Sequence, residues 1–239
     1  MTDKQAVRER VWDALEDAGE ARFPFPPHGR IPNFAGAKVA AERLADTEVW
    51  ADAEVVKANP DAPQLPVRRR ALHDGKTVYM AVPRLREEKC FLELDPAEIP
   101  PDERDRAPAL SNVDDYATQV GPDALPDVDL VVSGSVAVTE DGARIGKGEG
   151  FSDLEFAVLR ELGAVHESTP VATTVHELQV VDEAEAPAPD AHDVPMALVV
   201  TPGRTVETET PYEKPRGVDW DALSDEQIDA MPVLQRLRE

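Results

Sequence analysis

The sequence predicts an α/β fold in which a mostly parallel sheet carries helices on both faces. Short strand-like segments alternate along the chain with segments whose apolar residues recur at helical spacing. The strongest strand core, at 130–132, is apolar without alternation, which is typical of a strand covered on both faces. Connections rich in Gly and Pro separate the segments, as expected between the elements of a layered domain.

The first half of the chain is predicted to hold three helices and three strands. Helical spacing predicts helices at 3–18, 34–45 and about 66–74. Thr2 is a candidate N-cap for the first helix, and Gly75 ends the third. Strand-like patterns occur at 53–58, 77–82 and 90–94. Prolines make 22–33 and 96–108 irregular connections.

The second half repeats this alternation of strands and helices, and a segment with one short helix follows. Strands are predicted at 128–138, 171–175 and 196–201, with a helix at about 152–162. Ser224 to Gln227 has the pattern of a capping box, which predicts one short helix whose length Pro232 limits. We therefore expect one α/β domain over 1–210 and a C-terminal extension over 211–239.

Composition excludes several classes of protein. The 239 residues carry 25 Lys and Arg against 48 Asp and Glu, a net charge of −23. A chain this acidic lacks the basic face that nucleic-acid binding needs. The single cysteine, Cys90, excludes a disulfide framework and a cysteine-based zinc site. The longest apolar run, 196–200, is far shorter than the roughly 20 residues of a membrane helix.

The acidity is spread along the whole chain, and lysine is scarce, with 7 Lys against 18 Arg. Such a surface repels itself in dilute buffer and is tolerated when salt screens it. With no signal peptide in the pattern, we expect a cytoplasmic protein of a salt-loving organism, a monomer or homodimer that acts on a small molecule. We expect neither nucleic acid nor membrane as its partner.

A glycine-rich loop carries the clearest chemical signal. Gly146, Gly148 and Gly150 alternate between a buried strand and a helix, so backbone N–H groups can converge on a ligand without obstruction by Cβ atoms. The following helix adds a partial positive charge at its N-terminus, and Arg144 and Lys147 add full charges. The pattern predicts an anion site, most naturally for phosphate; a flexible glycine turn is the alternative.

Two further pairs are suggestive. Lys4 and Arg8 stand at i and i+4 and share one helix face, although a solvated face explains them as well. Asp193 follows His192 just before an apolar strand, where a carboxylate could hold Mg²⁺ together with phosphate oxygens. A surface position in an acidic loop is the alternative.

In this order, the motifs resemble the 5-formyltetrahydrofolate cyclo-ligase family. Its members begin with a helix that carries a Lys and, four residues later, an Arg, as Lys4 and Arg8 do. They have a Gly-x-Gly-x-Gly-Tyr-Tyr-Asp loop, similar to 146–153, and a His-Asp or like pair before a last strand that ends in Thr, similar to 192–201. The resemblance covers about residues 3–203.

The resemblance implies a Rossmann-like three-layer α/β fold and the ATP-driven closure of 5-formyltetrahydrofolate to 5,10-methenyltetrahydrofolate, with ADP and phosphate released. It implies that Lys4, Arg144 and Lys147 are catalytic and that Asp153 and Asp193 hold Mg²⁺. It places ATP against Lys4, Arg8, Arg144, Gly146, Lys147, Gly148, Glu149, Gly150, Phe151 and Ser152.

The loop departs from the family pattern, because Phe151 and Ser152 replace the two tyrosines. The stretch 61–64 has no glutamate, although working members have one near the formyl group. The chain thus resembles a diverged, cyclo-ligase-like branch, and we expect it in a halophilic archaeon. The alternative function is a nucleotide-binding member that acts on another small N-formyl or amide substrate, or a non-catalytic module that binds partners.

Overall fold

A computed structural model describes residues 3–82 and 85–238, which form seven α-helices and twelve strands. The helices are α1 (Lys4–Asp17), α2 (Ala37–Ala45), α3 (Glu48–Asp52), α4 (Leu65–His73), α5 (Phe151–Glu161), α6 (Asp225–Asp229) and α7 (Pro232–Arg238). The strands are β1 (Ala21–Arg22), β2 (Asn33–Phe34), β3 (Val55–Ala58), β4 (Thr77–Ala81), β5 (Phe91–Leu94), β6 (Thr118–Val120), β7 (Leu130–Val132), β8 (Ala137–Val138), β9 (Arg144–Ile145), β10 (Val171–Thr174), β11 (Leu198–Val200) and β12 (Thr205–Glu207).

Eight of these strands form one sheet in the order β12-β11-β10-β7-β3-β4-β5-β6. The five central strands, from β11 to β4, are parallel, and the outer strands pair antiparallel. Buried side chains of α2, α3 and α4 pack on one face of the sheet, and those of α5, α6 and α7 pack on the other. The predicted α/β fold with a mostly parallel sheet between helical layers is confirmed.

Strand β3 shows how the sheet separates its two faces. Val56 and Ala58 belong to the hydrophobic cluster beneath α2 and α4. Lys57, between them, points to the opposite face because successive side chains of a strand alternate, and there it meets α5. The sheet therefore presents one charged side chain to the layer that contains the glycine loop.

The strand predicted at 128–138 is wrong in its second half. The sheet strand ends at Val132, and the chain turns away so that β8 pairs with β9 in a separate hairpin. Gly134 lies at this departure, where a Cβ atom would come within 2.9 Å of Ile31 Cγ2. Its carbonyl accepts from a side chain rather than from a neighbouring strand. Close approach of another segment thus replaces sheet pairing at this point.

Most of the other predicted elements are confirmed with small changes at their ends. The edge strands β6 and β12 escaped prediction because they are short and partly exposed, and so lack an apolar run. Strands β1 and β2 also escaped prediction, because each has only two residues and they lie at the ends of the predicted loop 22–33. Thr2 lies outside the described residues, so its capping role stays a prediction. No helix in the described ranges is long and apolar enough to cross a bilayer.

The segment after residue 210 packs on the α5 side of the sheet. Ile228, Met231 and Leu234 are buried in the same hydrophobic cluster as Phe156 of α5. The predicted capping box is confirmed, since the Ser224 side chain accepts from the Gln227 N–H and the Gln227 side chain accepts from the Ser224 N–H. The prediction of one short helix here is wrong, because Pro232 begins a second helix, α7, at a first-turn position that tolerates proline. The boundary at 210 stays a prediction.

Candidate functional site

A cleft of about 200 Å³ opens where the strand order reverses. The chain passes from β3 to β4 on one side and later places β7 on the other side of β3. Ligands of open α/β sheets collect at such a reversal, beyond the carboxyl ends of the strands. Asn59 follows β3 here, and the glycine loop covers the opening. The predicted site residues that line the cleft are Arg144, Gly146, Lys147, Glu149, Gly150, Phe151, Ser152 and Asp153.

The glycine loop runs from β9 to the start of α5. Gly148 and Gly150 have φ values of +101° and +71°, in the left-handed region that favours glycine. A Cβ atom on Gly148 would lie 3.4 Å from Arg8 Cζ, in van der Waals contact with a side chain of α1. Gly150 is the N-cap of α5 and offers no capping side chain. The first N–H groups of the helix therefore remain available to an anion.

Arg144 is the central cation of the site. Its side chain is buried, and its Nε and Nη2 atoms donate to the Gly134 carbonyl oxygen at 3.0 and 2.8 Å. Its Nη1 atom donates to both carboxylate oxygens of Asp153, at 2.9 and 3.1 Å. The guanidinium thus ties the end of β7 to the first turn of α5 and is held rigidly at the edge of the cleft.

Two cations of α1 reach the same region. Arg8 Nε donates to the Gly146 carbonyl oxygen at 2.7 Å, so the first helix contacts the glycine loop directly. Burial lowers the pKa of Arg8 from its ordinary value. Lys4 Nζ donates to Asp190 at 2.8 Å and to Asp193 at 2.5 Å. Burial acts to lower the pKa of Lys4, but these two bonds outweigh it and the pKa is raised.

Lys147 extends from the glycine loop itself. Its ammonium group pairs with Glu149 at 2.8 Å, and both side chains are about one third exposed. Such a pair is easily exchanged for another partner, because solvent screens most of its attraction.

The two predicted metal carboxylates lie on neighbouring segments. Asp153 Oδ1 accepts from the Val194 N–H at 3.1 Å, which joins the first turn of α5 to the chain that follows Asp193. Asp193 Oδ2 accepts from Lys4 and from the Asp190 N–H at 2.7 Å. Ligand atoms of Asp190, His192 and Asp193 lie within 4.8 Å of one another.

The donor set suits a small hard cation. Mg²⁺ takes carboxylate oxygens together with water and phosphate oxygens. Asp193 Oδ1 accepts no hydrogen bond from any described residue, and His192 Nε2 lies 4.0 Å from it. Asp153 has both oxygens engaged by Arg144, so it fits a metal only through water or with a shift of that pair.

Sequence reasoning missed a buried polar group beneath the loop. Lys57 Nζ pairs with the Glu155 carboxylate and donates to Asn59 Oδ1 at 3.1 Å. Ser152 Oγ also donates to Asn59 Oδ1, at 3.4 Å. A single Lys inside an apolar strand pattern was the signal that could have revealed this group, because an unpaired lysine is almost never buried.

Taken together, the site combines four cations, a helix N-terminus and glycine-freed backbone at one edge of the sheet. An arrangement of this kind can neutralise and orient a polyphosphate, and the adjacent carboxylates offer oxygen atoms that a divalent cation can use.

Comparison with known proteins finds relatives over nearly the whole chain. A methenyltetrahydrofolate synthase domain-containing protein of Mus musculus is 44% identical over 236 residues, which cover 99% of this chain and 63% of that protein. The Homo sapiens protein of the same name is 40% identical over 98% of this chain and 61% of its own length. The chain thus spans less than two thirds of these curated relatives.

A solved structure shares the fold. The NMR structure of Aquifex aeolicus 5,10-methenyltetrahydrofolate synthetase aligns with a TM-score of 0.53 at 15% identity, over 88% of this chain and 95% of that one. The model of the 5-formyltetrahydrofolate cyclo-ligase family matches residues 1–202. The chain belongs to the 5-formyltetrahydrofolate cyclo-ligase family.

Proposed function

We propose that this chain is an ATP- and Mg²⁺-dependent cyclo-ligase that converts 5-formyltetrahydrofolate to 5,10-methenyltetrahydrofolate, releasing ADP and phosphate. The observation that carries the proposal is the convergence of α1 and Arg144 on the glycine loop, directly at the sheet reversal. Family membership supports the choice of reaction. The evenly acidic composition supports a cytoplasmic enzyme of a salt-loving organism.

The reaction asks mainly for positioning and neutralisation of charge. The γ-phosphoryl group of ATP passes to the formyl oxygen, N10 of the folate attacks the activated carbon and loses its proton, and the oxygen leaves with phosphate. Lys4, Arg8 and Lys147 bind the phosphates, and Arg144 holds the loop and meets the charge that develops on the transferred group. The N–H groups after Gly150 bind phosphate oxygens at the N-terminus of α5.

In this assignment Asp193 would hold Mg²⁺, and Asp153 would support it through water or after release by Arg144. The bound cation would neutralise phosphate charge. Ser152 and Asn59 line the cleft and are joined by a hydrogen bond. This bond fixes the part of the lining that the folate would contact.

The test is turnover of 5-formyltetrahydrofolate with ATP in molar KCl, followed by the absorbance of the methenyl product. We expect turnover that Lys147→Met reduces at least tenfold. The matched control is Lys38→Met, since Lys38 is an exposed lysine of α2 that pairs with Glu42 outside the site. If the two variants have equal activity, Lys147 is not a catalytic residue.

A separate measurement tests the metal ligands. We expect Asp193→Asn to abolish the Mg²⁺ dependence of ATP binding while the protein stays folded. Asp153→Asn should also weaken that dependence, and it should destabilise the fold because Arg144 loses a buried partner. A parent-like Mg²⁺ titration in both variants would remove both residues from the metal site.

The second candidate function is binding of nucleotide without folate turnover. The replacement of the family's two tyrosines by Phe151 and Ser152 favours it. Tight ATP binding combined with absent turnover of 5-formyltetrahydrofolate would select it over the cyclo-ligase reaction.

A further inference from the structure

A second cavity, of about 150 Å³, adjoins the glycine loop on the side of the C-terminal segment. It shares Glu149, Gly150, Phe151 and Asp153 with the first cleft, so the two cavities have a wall in common. The remaining lining comes from the outer face of α5, from His192, and from the segment 217–231.

The two cavities differ in the cations that line them. Arg144 and Lys147 line the first cleft together with several carboxylates, whereas no Lys or Arg among the described residues lines the second. The second cavity has acidic residues, among them Asp219. A phosphate group would meet carboxylates there without a cationic side chain to offset them, while an uncharged ring would not be repelled.

The surfaces of the second cavity suit a flat, uncharged ring. Leu154 and Ala157 of α5 face Leu223 and Met231 of the C-terminal segment. Small-molecule sites have this composition, an apolar lining with few polar groups that set orientation.

Two of the polar side chains in this lining, Asp219 and Gln227, belong to the C-terminal segment. Gln227 Oε1 accepts from the Ser224 N–H at 2.9 Å and from Ser224 Oγ at 3.1 Å. The capping box thereby fixes the side-chain amide, and Nε2 donates to no atom of the described residues. Asp219 offers a carboxylate acceptor. A donor and an acceptor in the lining of one cavity match the edge of a nucleobase, which carries ring nitrogens and an amino group.

The C-terminal segment is fastened in this position. Lys214 Nζ donates to the Glu167 and Thr169 carbonyl oxygens at 2.6 and 2.8 Å, and the Val218 N–H donates to Glu161 Oε1 of α5 at 3.2 Å. The family model ends at residue 202, so this wall lies beyond the part of the chain that defines the family.

We propose that the C-terminal segment completes a pocket for the heterocyclic base of the nucleotide, whose phosphates occupy the glycine-loop cleft. The inference rests on the proposed nucleotide site and assigns the extension a direct role in binding. It makes the base, and not the triphosphate alone, a source of affinity.

The test compares ATP with inorganic tripolyphosphate, each with Mg²⁺, by calorimetry on the full chain in molar KCl. We expect the parent to bind ATP at least tenfold more tightly than tripolyphosphate. Leu223→Trp fills the cavity and should weaken ATP binding at least tenfold while tripolyphosphate binding is unchanged. The matched control is Leu237→Trp, because Leu237 packs on the same core but does not line the cavity.

Each outcome decides between the proposals. Equal affinity of the parent for ATP and tripolyphosphate overturns the base pocket and leaves the phosphate site standing. This comparison needs no variant, so it holds even if Leu223→Trp fails to fold. Parent-like ATP binding by Leu223→Trp, or equal weakening of both ligands, also overturns the pocket. A parent that binds neither ligand overturns the proposed function itself.

Discussion

Removal of the Lys57 ammonium should strongly destabilise the fold. Its side chain is 1% exposed and that of its partner Glu155 is 7% exposed, so Lys57→Met leaves a carboxylate buried without a counter-charge. Breaking a buried pair in this way costs about 3–5 kcal/mol. For a domain of this size, 1 kcal/mol shifts the melting temperature by about 2–4 °C, so we expect a fall of about 6–20 °C.

The assays are thermal unfolding, for the melting temperature, and urea unfolding, for the free energy, both at constant KCl and with Lys38→Met as the matched control. The pair of Lys38 with Glu42 is exposed, and its loss should cost less than about 1 kcal/mol. The double variant Lys57→Met/Glu155→Leu removes both buried charges and should regain most of the lost stability. The reasoning is refuted if Lys57→Met and Lys38→Met lose the same free energy of unfolding. It is also refuted if the loss in the double variant equals the sum of the losses in Lys57→Met and Glu155→Leu.

Three further predictions follow from features of the site and surface. Gly148→Val places a Cβ atom against Arg8 at a positive φ, and it should weaken ATP binding at least tenfold, by about 1.4 kcal/mol; parent-like calorimetry would contradict this. Dilution from molar KCl to about 0.1 M lengthens the Debye length from about 3 to 10 Å, so the melting temperature should fall, and a flat or rising value would count against salt stabilisation. Burial of Asp141 opposes its ionisation, but hydrogen bonds from Thr139 and Tyr212 hold the pKa of Asp141 below its ordinary value. Tyr212→Phe should therefore lower stability above about pH 4, and its effect should shrink as the pH falls from about 4 towards the depressed pKa, so the stability loss should be smaller at pH 3 than at pH 7.

The local pattern of the sequence was enough to predict the parallel core of the sheet and the loop–helix junction. Val131 and its neighbours are apolar on both faces, and this is how a central parallel strand differs from an edge strand. Gly150 marks the start of α5 because its positive φ turns the chain into the helix.

The features that escaped prediction depend on contacts between distant segments. Gly134 lies just after the strand, where a Cβ atom would meet Ile31, about a hundred residues earlier in the chain. Glu155 looked like one of many solvated acids, and only the fold places Lys57 beside it. The engagement of Asp153 by Arg144 also required the fold, and it changes the expected effect of substitution there.

Three cations at the glycine loop form ion pairs with carboxylates. Lys4 is held by Asp190 and Asp193, Arg144 by Asp153, and Lys147 by Glu149. Under the proposed assignment, a ligand that carries both phosphates and a divalent cation can replace these pairs. The phosphates then bind the ammonium and guanidinium groups, the cation binds the carboxylates, and no charged group is left without a partner. Phosphates alone would leave the carboxylates unpaired, and the cation alone would leave the ammonium and guanidinium groups unpaired. We therefore expect the two components to bind with positive coupling, each raising the affinity for the other by the same factor.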